Sequence, residues 1–282
     1  MGRLDTLDQG ATLPWMRKGT AVFTDAVARL DDAAFAAPSL LPGWSRAHVI
    51  GHVARNAEGL TRLCEWAATG VETPMYASRE SRDADIEASA VLRPAALRED
   101  LVTTASRLTA ALSTLDDTAR RATVRGASGL EFPAARIPWL RVREVWLHAV
   151  DLAADVSFDD IPAPLVDALI DDVTGSLSKH PDCPPVLLVP LDRGDTVRFG
   201  PPGVAPTEVT GTAAQLVGWV SGRAGAPSPP TSSCPRGSDR HGDRAGHVAV
   251  TGPARRQTYV VAQMAYASTR QYVLQPRSSS MP

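Results

Sequence analysis

The sequence predicts an α+β protein in which an N-terminal four-helix bundle is followed by a small α/β domain and a polar tail. Residues 1–155 contain long segments with apolar side chains at helical spacing. Residues 156–225 contain shorter apolar segments separated by turn-forming residues, a pattern typical of strands. Residues 226–282 are rich in proline, serine and arginine without sustained periodicity, so we expect a disordered tail.

Four amphipathic segments predict the helices of the bundle, and they cover residues 5–30, 46–69, 94–115 and 138–154. Ser45 is suited to cap the second of these helices. Residues 70–82 contain turn-forming residues and predict an irregular connection, whereas residues 120–136 predict a hairpin-like excursion. Bundles of this kind build metal sites from side chains on facing helices.

The second domain is predicted from a change of pattern after Pro162. A helix is expected first, followed by three short strands and a final helix, at residues 163–179, 185–191, 196–199, 207–211 and 212–223. This order indicates a small sheet covered by helices.

Composition limits the possible classes of protein. Of the 282 residues 44% are apolar, which indicates a globular chain, and no apolar run is long enough to span a bilayer. The N-terminus does not have the pattern of a signal peptide, so we expect a cytoplasmic protein. Three widely spaced cysteines argue against a disulfide framework.

Charge is unevenly distributed along the chain, whose formal net charge is −2. Residues 225–282 contain seven arginines and two aspartates, a balance that raises the possibility of nucleic-acid binding. The tail lacks a basic helix and interleaved aromatic residues, so we expect no nucleic-acid partner and no membrane partner. We expect the chain to be a monomer that acts on small molecules.

A candidate metal site begins on the fourth predicted helix. Glu144 and His148 are four residues apart, so their side chains project from the same helix face. Asp151 lies three residues further on and could hold the ring nitrogen of His148 that does not bind the metal. Because such pairs are common on solvated helix faces, this pair alone does not establish a metal site.

A third ligand is predicted on the second helix. His52 lies on an apolar stripe with Val49 and Val53 that should face the core. A lone inward histidine is more often a hydrogen-bonded core residue, and His48 forms an alternative pair with His52. We favour His52 because His48 lies in the first turn beside Ser45, although periodicity does not settle the choice. A core-facing His52 beside Glu144 and His148 would supply three ligands.

Three stretches carry recognisable motifs, namely residues 39–52 (SLLPGWSRAHVIGH), 66–78 (WAATGVETPMYAS) and 141–152 (RVREVWLHAVDL). Together they resemble the mycothiol-dependent maleylpyruvate isomerase family, which belongs to the DinB-like thiol transferases. The resemblance extends from about residue 10 to Arg223 and implies a DinB-like bundle. It also implies zinc at the positions matching His52, Glu144 and His148, with mycothiol as the thiol cofactor.

The family also has a catalytic arginine on the last helix of its smaller domain, and Arg223 matches that position. The alternative interpretation of Arg223 is a cation that complements the dipole at a helix C-terminus. The substrate is a dianion, so a second cation would help to hold it, and Arg82 is a weaker candidate for binding the substrate or the thiol.

The implied reaction is the cis–trans isomerisation of maleylpyruvate to fumarylpyruvate in gentisate-type aromatic catabolism. Two histidines and one carboxylate leave a fourth zinc position that can hold a thiolate. The thiolate would add to the cis double bond, the resulting single bond would rotate, and the thiol would leave. Cys64 is twelve residues from His52, about 18 Å along a helix at ~1.5 Å per residue, so it is not the nucleophile.

Two other functions remain open from the sequence. One is a zinc-dependent mycothiol S-transferase that conjugates electrophiles at the same site, and the other is a non-enzymatic module that binds a small ligand. The chain also lacks the proline-rich, tryptophan-containing ending of the family. Its tail has the composition expected of an out-of-frame extension, a hypothesis that sequencing the gene near codon 225 would test.

Overall fold

A computed structural model describes residues 9–223 of the chain. These residues form two compact units, one ending at Ser157 and the other beginning at Phe158. The tail predicted beyond residue 225 lies outside the described residues.

Within residues 9–157, the first unit contains six α-helices and one β-hairpin. The helices are α1 (Gln9–Arg29), α2 (Arg46–Thr69), α3 (Arg79–Ala90), α4 (Pro94–Ser113), α5 (Asp117–Arg121) and α6 (Ile137–Asp151). The hairpin consists of the antiparallel strands β1 (Thr123–Arg125) and β2 (Glu131–Pro133), which confirms the excursion predicted over residues 120–136.

The four long helices α1, α2, α4 and α6 form the predicted bundle. Helix α1 packs mainly against α6 and also contacts α4, whereas α2 packs mainly against α4 and also contacts α6. Their facing sides are apolar and buried, as Phe23, Leu60 and Leu108 illustrate. Ser45 caps α2 as predicted, because its hydroxyl accepts from the backbone N–H of His48.

The prediction of an irregular connection over residues 70–82 is wrong at its end, because α3 begins at Arg79. Helix α3 has little apolar periodicity, because Ile86 is its only large apolar residue that is buried. Its local start signal is a capping box, in which the side chains of Ser78 and Ser81 bond to each other's backbone N–H groups. Helix α3 packs against α2 and so brings Arg82 to that helix.

The second unit confirms the small sheet with covering helices. It consists of α7 (Ala163–Leu177), β3 (Val186–Pro190), β4 (Val197–Phe199), β5 (Thr207–Gly211) and α8 (Ala213–Val220). Strand β3 lies in the centre, antiparallel to β4 and parallel to β5. Helices α7 and α8 pack against each other and against the sheet. In the part of the chain that the structure describes, no helix is long and apolar enough to cross a membrane.

Candidate metal centre

Helices α2 and α6 bring together the three ligands predicted from the sequence. The Nε2 atom of His52 lies 2.9 Å from Oε2 of Glu144, and Nε2 of His148 lies 3.3 Å from the same oxygen. One ligand atom from each residue lies within 4.8 Å of the other two, and both histidines are buried. Among residues 9–223, this is the one group of three or more potential ligands that could hold a metal ion.

Two of the ligand-atom separations in this group are compatible with a tetrahedral metal ion. In a zinc site with bonds of about 2.0–2.1 Å, neighbouring ligand atoms are separated by about 3.3 Å. The separations of 2.9 and 3.3 Å around Glu144 are close to that value. Two imidazoles and one carboxylate are a typical catalytic zinc donor set and leave a fourth position for a thiol or water. The residues present therefore fit the metal that the resemblance implies.

Asp151 orients His148, as the sequence predicted. Its Oδ2 atom lies 2.8 Å from Nδ1 of His148, and the Asp151 side chain is completely buried. This contact keeps a proton on Nδ1 of His148, so Nε2 is the ring nitrogen that is directed to the ligand cluster. The arrangement is the carboxylate–histidine pair that commonly supports metal ligands.

The protonation preferences of the three residues follow from their surroundings. Burial lowers the pKa of His52 to about 4, although the hydrogen bond with Glu144 opposes this shift. For His148, burial is outweighed by the hydrogen bonds with Asp151 and Glu144, so its pKa is raised. Burial would raise the pKa of Glu144, but the hydrogen bonds from His148 and His52 hold it well below its ordinary value. At neutral pH the cluster therefore offers an ionised carboxylate and a neutral His52.

His48, the alternative ligand considered from the sequence, is engaged outside the cluster, and His52 stays the predicted ligand. The Nδ1 atom of His48 accepts from the backbone N–H of Ser45 at 3.2 Å and lies 2.7 Å from its hydroxyl. Its Nε2 atom lies 3.4 Å from Glu87. His48 therefore belongs to the capping box of α2, whereas His52, one turn later, belongs to the cluster.

The ring of Trp44 packs beside the cluster. The sequence analysis did not identify Trp44 as a residue of this site. Its ring centroid lies 5.5 Å from that of His52 and 6.2 Å from that of His48. The rings of His52 and His148 meet edge to face at 4.7 Å. Trp44 immediately precedes the cap residue Ser45, so its position in the sequence could have indicated proximity to the first turns of α2.

Arg82 lies directly beside His52. Its Nη2 atom is 3.3 Å from Nδ1 of His52, and its Nη1 donates to Asp83 at 2.8 Å. In this arrangement Nδ1 accepts and Nε2–H points to Glu144. A metal on Nε2 would require the proton on Nδ1, and the Arg82 N–H would then need another acceptor.

Tyr76 is a further residue of this region that the sequence analysis missed as a functional candidate. The guanidinium of Arg82 lies 5.8 Å from the centroid of its ring. Burial raises the pKa of Tyr76 to about 12, and the charge of Arg82 opposes that shift. The hydroxyl therefore stays protonated at neutral pH and can donate a hydrogen bond.

Arg223, in the second unit, follows α8 rather than lying within it. The helix ends at Val220, three residues earlier than predicted, and Gly222 adopts a left-handed φ of 74°. The backbone N–H of Arg223 donates to Gly218 and that of Gly222 to Trp219, the pattern of a Schellman motif. The guanidinium donates to Ser221 at 3.1 Å, so the cation sits at the helix C-terminus. This position accords with the dipole interpretation, and a catalytic role stays a prediction.

The two cysteines of the described residues are poor nucleophiles. Cys64 is buried in α2, and burial raises the pKa of its thiol to about 12. Burial also raises the pKa of the Cys183 thiol. Neither has the lowered pKa that marks a reactive protein thiol.

Comparison with known proteins places both units in one family. The family model described as the mycothiol maleylpyruvate isomerase N-terminal domain matches residues 16–153. The family model described as the MDMPI C-terminal domain matches residues 160–236. The second match extends past Arg223 into the tail.

Solved structures agree with the family match. A crystal structure of the mycothiol-dependent maleylpyruvate isomerase is 34% identical, with a TM-score of 0.76, over 82% of this chain and 96% of that chain. The crystal structure of its H52A mutant gives the same values. A search of curated proteins found no match. The chain belongs to the mycothiol maleylpyruvate isomerase family.

Proposed function

We propose that this chain is a zinc- and mycothiol-dependent isomerase that converts maleylpyruvate to fumarylpyruvate. The observation that carries the proposal is the cluster of His52, Glu144 and His148 in a chain 34% identical to an isomerase of that name. Two histidines and one carboxylate are the donors of a catalytic zinc rather than a closed structural site.

The three ligands would hold the metal from two helices of the bundle. His52 is suited to the role because it is neutral at neutral pH, and Glu144 because it is ionised. Asp151 keeps Nε2 of His148 directed to the same point. When bound, the metal would lower the pKa of a thiol at its fourth position so that the sulfur is a nucleophile near neutral pH.

The proposed reaction is an addition followed by an elimination. The thiolate sulfur forms a bond to one carbon of the cis double bond, and the π electron pair of that double bond moves to the conjugated carbonyl, which becomes an enolate. The former double bond rotates as a single bond, and re-formation of the carbonyl and of the double bond expels the thiolate to leave the trans isomer. The thiolate is regenerated, so no proton, oxidant or reductant is consumed.

Cationic residues are required for the dianionic substrate and its enolate. Arg82 lies next to His52, and this position supports the proposal that it holds a carboxylate of the substrate. Tyr76 can donate a hydrogen bond in the same region because its hydroxyl stays protonated. Arg223 matches the catalytic arginine of the family, and we propose the same role for it here.

The proposal is tested by following maleylpyruvate isomerisation by ultraviolet absorbance with zinc-loaded protein. Turnover should require mycothiol and should disappear in His52→Ala, which removes one proposed ligand. Arg55→Met is a suitable control because the Arg55 guanidinium pairs with Asp100 on α4 and with Glu58 on its own helix. It should retain turnover.

The same protein also distinguishes the isomerase from the nearest alternative, a mycothiol S-transferase of the same fold. If other electrophiles consume mycothiol and maleylpyruvate is not isomerised, the proposed substrate is wrong and the proposed metal site still stands. Protein that binds no zinc would contradict the metal centre itself.

A further inference from the structure

Two arginines link the helices that carry the proposed metal ligands. Helix α2 supplies His52 but packs mainly against α4, whereas α6 supplies Glu144 and His148 but packs mainly against α1. Helices α2 and α6 also contact each other directly. Two sets of hydrogen bonds from arginine side chains add to that contact, one to the end of α6 and one to α2.

The first link lies at the start of α2. The Nε atom of Arg46 donates to the carbonyl of Leu152 at 2.7 Å, and its Nη2 donates to the carbonyl of Ala153 at 2.8 Å. These carbonyls lie just past α6, where backbone acceptors lack helical partners and attract a cation. Ala153 has a φ of 51°, which is unusual for a residue other than glycine and requires support from its surroundings. Arg46 supplies two hydrogen bonds at that point.

The second link lies on the other side of the ligands. Nη1 of Arg141, on α6, donates to the carbonyl of Val53 at 2.7 Å and to Oδ1 of Asn56 at 2.9 Å. Val53 follows His52 directly, and Arg141 precedes Glu144 by three residues. Arg141 is almost completely buried, and its Nη2 has no hydrogen-bond partner. Burial lowers its pKa to about 10, yet it remains charged at neutral pH.

The two links bracket the ligand cluster. Along α2, Arg46 lies six residues before His52 and Asn56 four residues after it, about 9 Å and about 6 Å at ~1.5 Å per residue. Along α6 the order is reversed, with Arg141 before Glu144 and the Arg46 acceptors after His148. The helices thus run antiparallel with a fixed register at both sides of the cluster.

We infer that Arg46 and Arg141 are positioning residues that set the affinity of the His52–Glu144–His148 centre for a divalent metal by fixing the register of α2 on α6. Burying the Arg141 charge is costly even though the charge of Glu144 offsets part of that cost, so stability alone does not explain its presence. Neither arginine is among the proposed ligands, so each would act on the metal through them. The inference rests on the proposed metal site.

The test measures Co²⁺ affinity and the visible spectrum of the Co²⁺-loaded full-length protein. Arg46→Met and Arg141→Met should each weaken Co²⁺ binding about 10- to 100-fold, as loss of residues that orient ligands generally does. The d–d bands should shift, because the ligands no longer hold their geometry. Arg46→Lys and Arg141→Lys should recover part of the affinity, since a lysine can donate to one of the two acceptors.

Two control variants disrupt the bundle without touching the α2–α6 links. Arg55→Met removes an ion pair between α2 and α4, and Trp146→Phe removes the hydrogen bond from Trp146 Nε1 to the Trp15 carbonyl between α6 and α1. Both should bind Co²⁺ as the unaltered protein does, with the same spectrum. If Arg141→Met does not fold, the test rests on Arg46→Met, because Arg46 is only half-buried.

Two results would overturn the inference. Unchanged Co²⁺ affinity and spectrum in folded Arg46→Met and Arg141→Met would show that the arginines only stabilise the fold. An equal loss of affinity in the two control variants would show that any loosening of the bundle has the same effect. If the unaltered protein binds no Co²⁺, the proposed metal site fails as well, whereas failure in the variants alone leaves the proposed function intact.

Discussion

Asp151 should control metal affinity although it does not touch the metal. Its carboxylate lies 2.8 Å from Nδ1 of His148 and is completely buried. Asp151→Asn keeps an acceptor oxygen but removes the charge, and Asp151→Ala removes both. The His148 ring then loses the partner that fixes its tautomer and increases the basicity of Nε2.

The size of the effect follows from the contact. A hydrogen bond to a charged group contributes about 1.5–3 kcal/mol, and a tenfold change in affinity corresponds to about 1.4 kcal/mol. We therefore expect zinc affinity to fall about tenfold in Asp151→Asn and about a hundredfold in Asp151→Ala, the range found for residues behind metal ligands.

Isothermal titration with zinc, or competition with a chromophoric chelator, measures this loss. Asp100→Asn is the matched control, because Asp100 is a carboxylate of the same bundle whose partner is Arg55. The control should keep the original affinity. The reasoning is refuted if both Asp151 variants bind zinc as tightly as the unaltered protein, or if Asp100→Asn loses as much affinity as they do.

Three further sets of predictions concern His148, Cys64 and Arg223. In the metal-free protein the pKa of His148 is raised above 6.5. Zinc must therefore displace its proton, so affinity should fall about tenfold per pH unit below that raised pKa, and Asp151→Ala should move the onset of this fall to lower pH in pH-dependent titrations. Cys64, with a pKa of about 12, should react with iodoacetamide at pH 8 at least about a thousandfold more slowly in native than in unfolded protein, followed by mass spectrometry. Cys64→Ala should keep thiol-dependent turnover, and loss of that turnover without loss of folding would contradict an external nucleophile. Arg223→Ala should lower kcat/KM for isomerisation without changing zinc affinity, with partial recovery in Arg223→Lys, and unaltered kinetics in Arg223→Ala would leave only the helix-capping role.

The sequence predicted the parts of the fold that follow from local patterns. The long helices of the bundle have apolar periodicity, and the strands of the second unit are short segments between turn-forming residues; the predicted positions agree with the structure to within a few residues. Helix α3 was missed because a helix that buries mainly Ile86 leaves little periodic signal. A search for capping residues would have indicated it through Ser78.

The ligand cluster could be predicted because its residues are separated by one helical turn on an apolar face. Helical spacing explains Glu144, His148 and Asp151, and the apolar stripe explains His52. The arginines were harder to place. Arg46 and Arg141 act through backbone carbonyls on the opposite helix, and contacts between distant segments leave no period in the sequence.

Binding of mycothiol to the Co²⁺-substituted protein tests the central claim most directly. We predict that adding mycothiol produces a thiolate-to-cobalt charge-transfer band in the near ultraviolet, in proportion to the bound metal, and that His52→Ala shows no such band. Co²⁺ bound by the unaltered protein with no change on adding mycothiol would contradict the claim that the metal centre activates an external thiol.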